Sequence, residues 1–578
     1  MTNRREREQC KMTNFKRELA NCIVAAIEAG YGLKLGAGEL TIETPPDGMG
    51  DLAFPCFKLA KSIRSAPAAI AQTIAQKICL PPFIESVATE GAYINFAYKP
   101  DVFVGAVLKR IDDEGEDYGR SYIGEGKNVV IDYSSPNIAK SFHIGHFRAT
   151  IIGAALYNIM NYVGYRSVGI NHLGDWGTQF GKLIVAYKLW GDKAEIEDKG
   201  ISELQRIYVL YHEAAEREPS MDDDARAWML KMQEGDEEAL GLWRWFVDVS
   251  MVEFGRIYKM LGVRFDHIMG ESFYNDKVSG AVEELRTKGL LVESEGAMIV
   301  ELEHHGLAPC LILRKDGGTL YHTRDIAAAL YRHKTFNFAK MLYVTAMDQS
   351  LHFAQLFKVL EEMGYGLDMN HVPFGLVSLE TGKLATRKGN VVLMEQLLEE
   401  AVSRTLDIIE DKNPTLENKE VVAQQIGIGA LVFGDLYNSR IKDTVFSWER
   451  VLSFEGESGP YVQYTHCRAC SILAKVDITN GTAPIDTSLL SDVASMQLTK
   501  TVEAFAERIR EASYKYEPYI VARYLVDLAQ SFNAFYQSNP ILVDDAALRS
   551  SRLSLVSATK QVLCAGLGLL GIAAPEKM

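Results

Sequence analysis

The chain has 578 residues, of which 47% are hydrophobic and 24% charged, and its formal net charge is −15. This composition excludes a low-complexity or collagen-like chain, and the length suggests about three domains. The acidic balance opposes nonspecific nucleic-acid binding but permits a local basic groove, because recognition depends on where the charge sits.

The N-terminus, "MTNRREREQCKMTNFKRE", is polar and lacks an apolar signal core; Met12 stands as an alternative start to Met1. "FKRELANCIVAAIEA" places Leu19, Cys22, Ile23 and Ile27 on one helical stripe. "PPDGMGDLAFPCFKLAKSI" reads as a turn-rich lead into a helix, and "GAYINFAY" as a strand. These make a first α+β domain over residues 1–118, and the Gly- and acid-rich stretch 112–127 reads as a linker.

A second domain, 119–410, opens with the buried-strand candidate "NVVIDYS" (128–134). The helix "RATIIGAALYNIMNYVG" (148–164) and the strand and turn "YRSVGINHLGD" (165–175) follow. Strands resume at 339–349 and 371–379, with a helical insertion over about 180–265 between the halves. Strand–helix–strand order predicts a Rossmann-like parallel sheet with right-handed crossovers. After the linker "DKNPTLENKE" (411–420), residues 421–578 read as helical. The fold class is therefore α/β, with an N-terminal α+β domain and a C-terminal all-α domain.

The apolar run "VLCAGLGLLGIAA" is too short to span a bilayer, which takes about 20 residues. Eight cysteines are scattered; Cys467 and Cys470 form the one CxxC, with no second pair to complete a zinc site. Structural thiols in a reducing cytosol, no protein-held metal and no membrane contact are the expectation.

Chemistry concentrates in "SSPNIAKSFHIGHFRATIIG" (134–153). Ligands of doubly wound sheets sit beyond the C-terminal strand ends, where a helix start offers N–H groups and a positive dipole end to phosphate. Gly145 would let a nucleotide approach the backbone. His143 and His146 would donate to phosphate oxygens, and Lys140 adds a mobile cation. A helix cap with two incidental histidines, or a small nucleotidylyltransferase, would share this spacing. "ETGKLATRKGN" (380–390) is a Gly-bounded loop carrying Lys383, Arg387 and Lys388; such a loop can close over a triphosphate, though a solvated charge run looks the same. "TLYHTRDIAAAL" puts Tyr321 and Asp325 four residues apart on one helix face.

"DYSSPNIAKSFHIGHFRAT" resembles the HIGH region of class I aminoacyl-tRNA synthetases, specifically the arginyl-tRNA synthetase family. "NHLGDWGTQFG", "GESFY", "DGGTLYHTRDIAAA", "DQSLHF", "GKLATRKGN", "EGESGPYVQYTHCR" and the ending "LLGIAAPEKM" match in order, over nearly the full length. The resemblance implies activation of L-arginine by ATP with Mg2+ and transfer of arginine to tRNA(Arg) by a monomeric cytoplasmic enzyme. It implies that Asp132, Ser135, Pro136, Asn137, His146, Tyr321, Asp325 and Gln349 hold arginine. His143, Gly145, His146, Lys383, Arg387 and Lys388 would bind ATP, and Lys140, His143, His146 and Lys383 would act in catalysis. Trp176 reads as core.

The loop departs from the class pattern KMSK. Leu384 and Ala385 replace Met and Ser, and Thr386 replaces the second lysine, for which Lys140 would compensate. The C-terminal region resembles a DALR anticodon-binding domain, implying tRNA contacts at Tyr461, Tyr464, Arg468 and Met578. The N-terminal unit resembles a tRNA-elbow domain. The family also needs tRNA present to form the adenylate. A synthetase for another amino acid and a catalytically silent tRNA-binding paralogue remain alternatives; Tyr321, Asp325 and Gln349 argue against an apolar substrate, and intact HIGH residues against silence.

Overall fold

A computed structural model describes residues 14–46, 48–379, 382–383, 393–475 and 483–578. Its central sheet is parallel, with spatial order Met369–His371, Lys340–Tyr343, Asn128–Asp132, Arg166–Asn171, His267–Ile268. Numbered along the chain this is 5-4-1-2-3. The order reverses between Asn128–Asp132 and Lys340–Tyr343, and the crevice at such a switch point is where doubly wound sheets bind ligands. Val129, Val130 and Ile131 are fully buried, as a strand covered on both faces requires.

The helix Ile144–Tyr162 follows the first strand and starts inside the His-Ile-Gly-His stretch, four residues earlier than its apolar pattern suggests. Gly153 lets it sit tightly on the sheet: a Cβ there would lie 2.2 Å from the Tyr133 side chain. The expected insertion is helical, from Thr178–Trp190 through Glu237–Leu261. A small antiparallel sheet, Val292–Ser294, Ala297–Val300 and Cys310–Leu313, has no counterpart in the sequence reading.

The stretch 371–379 is not one strand. Met369–His371 ends the main sheet, while Val377–Leu379 joins a second sheet. There it pairs in parallel with Thr444–Phe446, which comes from beyond the 411–420 linker, and antiparallel with Gly382–Lys383. The region after 420 is therefore not wholly helical; it supplies a strand that pairs with the segment Val377–Leu379. Arg148, 1% exposed, ties these parts together. Its Nη1 donates to the carbonyls of Gly375 (2.6 Å) and Lys442 (3.1 Å), and its Nε lies 3.2 Å from Asp435 Oδ1.

The N-terminal unit is an antiparallel sheet, Leu52–Pro55, Tyr93–Tyr98 and Ile84–Glu90, with helices Asn14–Tyr31, Pro67–Lys77 and Pro100–Glu114. "LAFP" is thus a strand, and much of the expected 112–127 linker is the end of a helix and its turn. The unit docks on the C-terminal helices through Lys16–Glu507 (2.8 Å), Lys500–Asp51 (2.6 Å) and the Tyr118 hydroxyl on the Val502 carbonyl (3.3 Å). Cys467 is buried, and its thiol, pushed up to about 12 by burial, donates to the Pro575 carbonyl; it fastens the C-terminal tail. Among the described residues no helix is long and apolar enough to cross a membrane.

Arg148→Met is expected to lower stability by about 3–5 kcal/mol, because it strands the buried Asp435 carboxylate. Arg148→Met with Asp435→Leu should recover much of the loss; thermal and urea melts of the two variants check this.

Candidate active site

The switch-point crevice is a cleft of about 1210 Å³. Asp132, Ser135, Asn137, His143, Gly145, His146, Tyr321, Asp325 and Gln349 all line it, so residues spread over more than two hundred positions converge there. Pro136 and Lys140 do not line it. Pro136 is buried and its carbonyl accepts from Gly174 N–H (3.1 Å), whereas Lys140 is exposed. Lys383 lies in the short strand Gly382–Lys383, its side chain outside what the structure describes; Arg387 and Lys388 fall outside the described residues.

The floor is a bent segment after the first strand. Ser134, Ser135 and Ala139 adopt left-handed backbone, φ 71°, 48° and 57°. Such conformations in non-glycine residues persist only where surroundings over-determine them. Here Ser135 N–H donates to Asn171 Oδ1 (3.1 Å), Ser135 Oγ to Asp132 Oδ1 (2.8 Å), and Ala139 N–H to Ser250 Oγ (3.0 Å). Gly174 completes the floor: a Cβ would fall 2.2 Å from Asn137 Oδ1.

His143 caps the helix Ile144–Tyr162, its Nδ1 accepting from Gly145 N–H (3.1 Å). His146 Nδ1 accepts from His143 N–H (3.3 Å). With both Nδ1 atoms accepting, the proton of each neutral ring belongs on Nε2, where it can serve as a donor. The rings stack at 3.9 Å. Burial first, then His143 and Lys140, pushes His146 down to about 3, so it remains neutral at physiological pH. Gly145 lines the cleft at the helix start and also packs against the cap. A Cβ there would come within 2.9 Å of the His143 ring, so glycine makes room for the cap.

The other end of the cleft is acidic. Asp325 accepts from His352 Nε2 (2.7 Å), and His172 Nε2 is 3.9 Å away. Burial raises its pKa, but the His352 hydrogen bond and the charges of His352, His172 and Arg332 outweigh that, and the net shift is downward. Asp325 is thus held as a carboxylate. Tyr321 is exposed one helical turn before it, and Gln349 is exposed at the end of the turn Met347–Gln349.

Asp132 is less available than its position suggests. Arg332 Nη1 donates to its Oδ2 (2.7 Å), and both side chains are almost wholly buried. The Arg332 Nε also donates to the Tyr274 hydroxyl (3.2 Å). Arg332, seven positions after Asp325, was invisible to motif reading because an arginine on a helix is ordinarily a surface residue.

Glu271 is a second cleft residue without a motif signal. It lines the cleft, its Oε2 has no hydrogen-bond partner, and Arg324 Nη1 lies 3.8 Å from it. Burial, opposed by Arg324 and reinforced by Asp325 and Asp175, pushes its carboxyl up to about 8. Its place in "GESFY" offered no charge pattern to single it out. Gly270 beside it allows the loop to close on Asp175, which accepts from Ser272 N–H (2.8 Å) and Oγ (2.6 Å).

Residues 111–448 match the family tRNA synthetases class I (R), catalytic domain. The chain belongs to the class I arginyl-tRNA synthetase family. Residues 17–98 match the arginyl tRNA synthetase N terminal domain and 462–578 the DALR anticodon binding domain. The arginine–tRNA ligase of Alkaliphilus metalliredigens is 52% identical over 98% of this chain and 100% of its own length; that of Clostridioides difficile is 51% identical over the same shares. Among solved structures, Thermus thermophilus arginyl-tRNA synthetase aligns with TM-score 0.83 at 27% identity, over 97% of this chain and 100% of that one.

Tyr461, Tyr464 and Arg468 lie on the helix Gly459–Ala474, which runs into the matched DALR region. Arg468 sits over Tyr464 (4.9 Å) and over Tyr536 (5.4 Å), which the sequence reading did not single out, and both rings are 42% exposed. Tyr461 is half-buried, its hydroxyl accepting from Asn533 Nδ2 (2.9 Å). Met578 packs partly on Ile409, Val422 and Ile426, and its carbonyl accepts from Asn413 Nδ2 (3.0 Å). Trp176 is core, edge-on to Trp243.

Glu271 generates a pH prediction. Between its ordinary value of 4.5 and about 8 the folded protein holds a proton that the unfolded chain releases. Stability should therefore fall as pH rises through that window, at up to roughly 1.4 kcal/mol per unit. Glu271→Gln should remove this loss, gaining more in melting temperature at pH near 8 than near 5 (thermal melts across pH). A cationic substrate entering the cleft favours the ionised form, so apparent arginine affinity should rise over the same range in the parent and flatten in the variant.

Proposed function

We propose that this chain is an arginine–tRNA ligase. It activates L-arginine with ATP to arginyl-adenylate, releasing pyrophosphate, and transfers arginine to the 3′ end of tRNA(Arg). The observation that carries this reading is an ionised, His352-held Asp325 in the same cleft as two Nε2–H imidazoles at a helix start. A guanidinium wants a planar carboxylate partner, and a developing negative charge on the α-phosphate wants preorganised neutral donors.

In this mechanism the amino-acid end of arginine lies over Ser135, Asn137 and His146, and the guanidinium reaches Asp325, Tyr321 and Gln349. The substrate carboxylate attacks the α-phosphorus of ATP. His143 and His146 donate from Nε2 to phosphate oxygens, and Gly145 stands at the helix start beneath the nucleotide. Mg2+ arrives with ATP as part of the substrate; on the cleft wall Asp132 is already engaged by Arg332 and Asp325 by His352. Lys383, Arg387 and Lys388 would take the pyrophosphate as the loop closes, and Lys140, exposed four residues before the helix start, would supply the cation that Thr386 does not.

The remaining assignments follow the same reading. Residues 1–118 meet the tRNA elbow, 119–410 carry out the chemistry and 421–578 hold the anticodon, in a monomeric cytoplasmic enzyme. Tyr464 and Tyr461 would stack on unpaired bases, at about 1–3 kcal/mol each, with Arg468 beside them and Met578 at the margin. Because Thr444–Phe446 pairs with the strand leading into the basic loop, tRNA bound to the helical region can bias loop closure.

Asp325→Asn should keep the fold and lose arginine-dependent ATP–pyrophosphate exchange by two orders of magnitude or so, about 3 kcal/mol, as expected for a charge-assisted pair. Exchange measured with arginine, lysine and glutamine, each with and without cognate tRNA, tests the whole reading. Arginine alone should support it, and only with tRNA present. Charging of lysine at a comparable rate would exclude the assignment, and tRNA-independent exchange would remove the coupling while leaving the ligase.

A further inference from the structure

We propose that His304, His305 and Glu362 form a binding site for a divalent transition ion of the zinc class, outside the reactive cleft. The two histidines end the one-turn helix Glu303–His305, which stops at Gly306 in left-handed conformation (φ 72°). Glu362 is the last residue of the helix Ser350–Glu362. His304 Nε2 lies 3.0 Å and His305 Nε2 2.7 Å from the same oxygen, Glu362 Oε1, and the ligand atoms all lie within 4.8 Å of one another.

Neighbouring histidines usually diverge. Here the turn brings both rings, 4.2 Å apart, onto one carboxylate oxygen. Two imidazole nitrogens and one carboxylate, with water in the open position, are a recognised zinc donor set. Bonds of about 2.0–2.2 Å place tetrahedral ligands roughly 3.3 Å apart, so the 3.0 and 2.7 Å contacts of the two imidazole nitrogens with Glu362 Oε1 would widen as the ion enters. The His304 and His305 hydrogen bonds hold the Glu362 carboxyl below its ordinary value. The His304 side chain is 57% exposed, which gives the ion a way in. The nearby cations have their own anions: Lys358 is paired with Glu361 and Lys288 with Glu284. A hard ion such as Mg2+ prefers oxygen ligands and would compete poorly.

Occupancy would fasten the turn that joins the small antiparallel sheet to the end of the helix Ser350–Glu362. The same helix carries His352, the partner of Asp325, in its first turn. The ion would thus act as a brace behind the acidic end of the cleft, in contrast to the sequence expectation of no protein-held metal.

The test is competition between the full-length, chelator-stripped protein and a chromophoric chelator for Zn2+ near neutral pH, with millimolar Mg2+ present. A single saturable equivalent is expected. His304→Gln with His305→Gln, and separately Glu362→Gln, should weaken it by at least about tenfold while arginine charging is retained, which shows the variants are folded. X-ray absorption of the Zn2+-loaded parent should show imidazole ligation. No saturable binding, unchanged affinity in the double variant, or sulfur ligation by Cys467 and Cys470 would overturn the proposal.

Discussion

A single buried guanidinium, that of Arg148, joins the parts of this molecule that must act together. It projects from the helix that opens with the His-Ile-Gly-His stretch, and it bonds to the carbonyls of Gly375 and Lys442 and pairs with Asp435. Those partners belong to the segment leading into the basic loop, to the connection beyond the linker, and to the first long helix of the C-terminal region. An uncompensated charge in that position would be costly, so the three pieces are held in one relative arrangement or forced to move as a unit. The parallel pairing of Val377–Leu379 with Thr444–Phe446 adds a second tie between the same pieces. Any signal from the helical region to the cleft has a short physical route.

The cleft divides its electrostatics by the same economy. At the helix start the imidazoles are neutral, fixed in tautomer by backbone N–H groups, and ready to meet negative charge without first losing a proton. At the far end Asp325 is kept ionised by His352, while Glu271, deeper and less well paired, keeps its proton until about pH 8. Arg332 neutralises Asp132 beneath them. Two carboxyl groups close in space thus differ in protonation because one has a hydrogen-bond donor and the other mainly has burial. A cationic side chain entering the cleft would meet one permanent and one inducible negative charge.

Local signals in the sequence determined much of this. The apolar run 128–134 followed by a helix and a second strand fixes a parallel sheet, because backbone polar groups buried on both faces must be paired within it. The family resemblance of the motifs at 132–146, 321–325 and 349 picks out much of the cleft lining, Pro136 and Lys140 excepted. The period of the C-terminal third fixes its helices. What the sequence could not decide depends on contacts between distant segments. Arg148, Arg332 and Glu271 read as ordinary charged residues until the fold buries them. The split of 371–379 between two sheets, and the short strand Thr444–Phe446, follow from a pairing across more than sixty residues that no local pattern encodes. The close approach of the folded-back His143 ring to Gly145 is likewise a contact that the motif alone does not show. Sequence settles which groups are present and their local backbone; the tertiary structure decides which are dehydrated and which face one another, and those two facts set their charge.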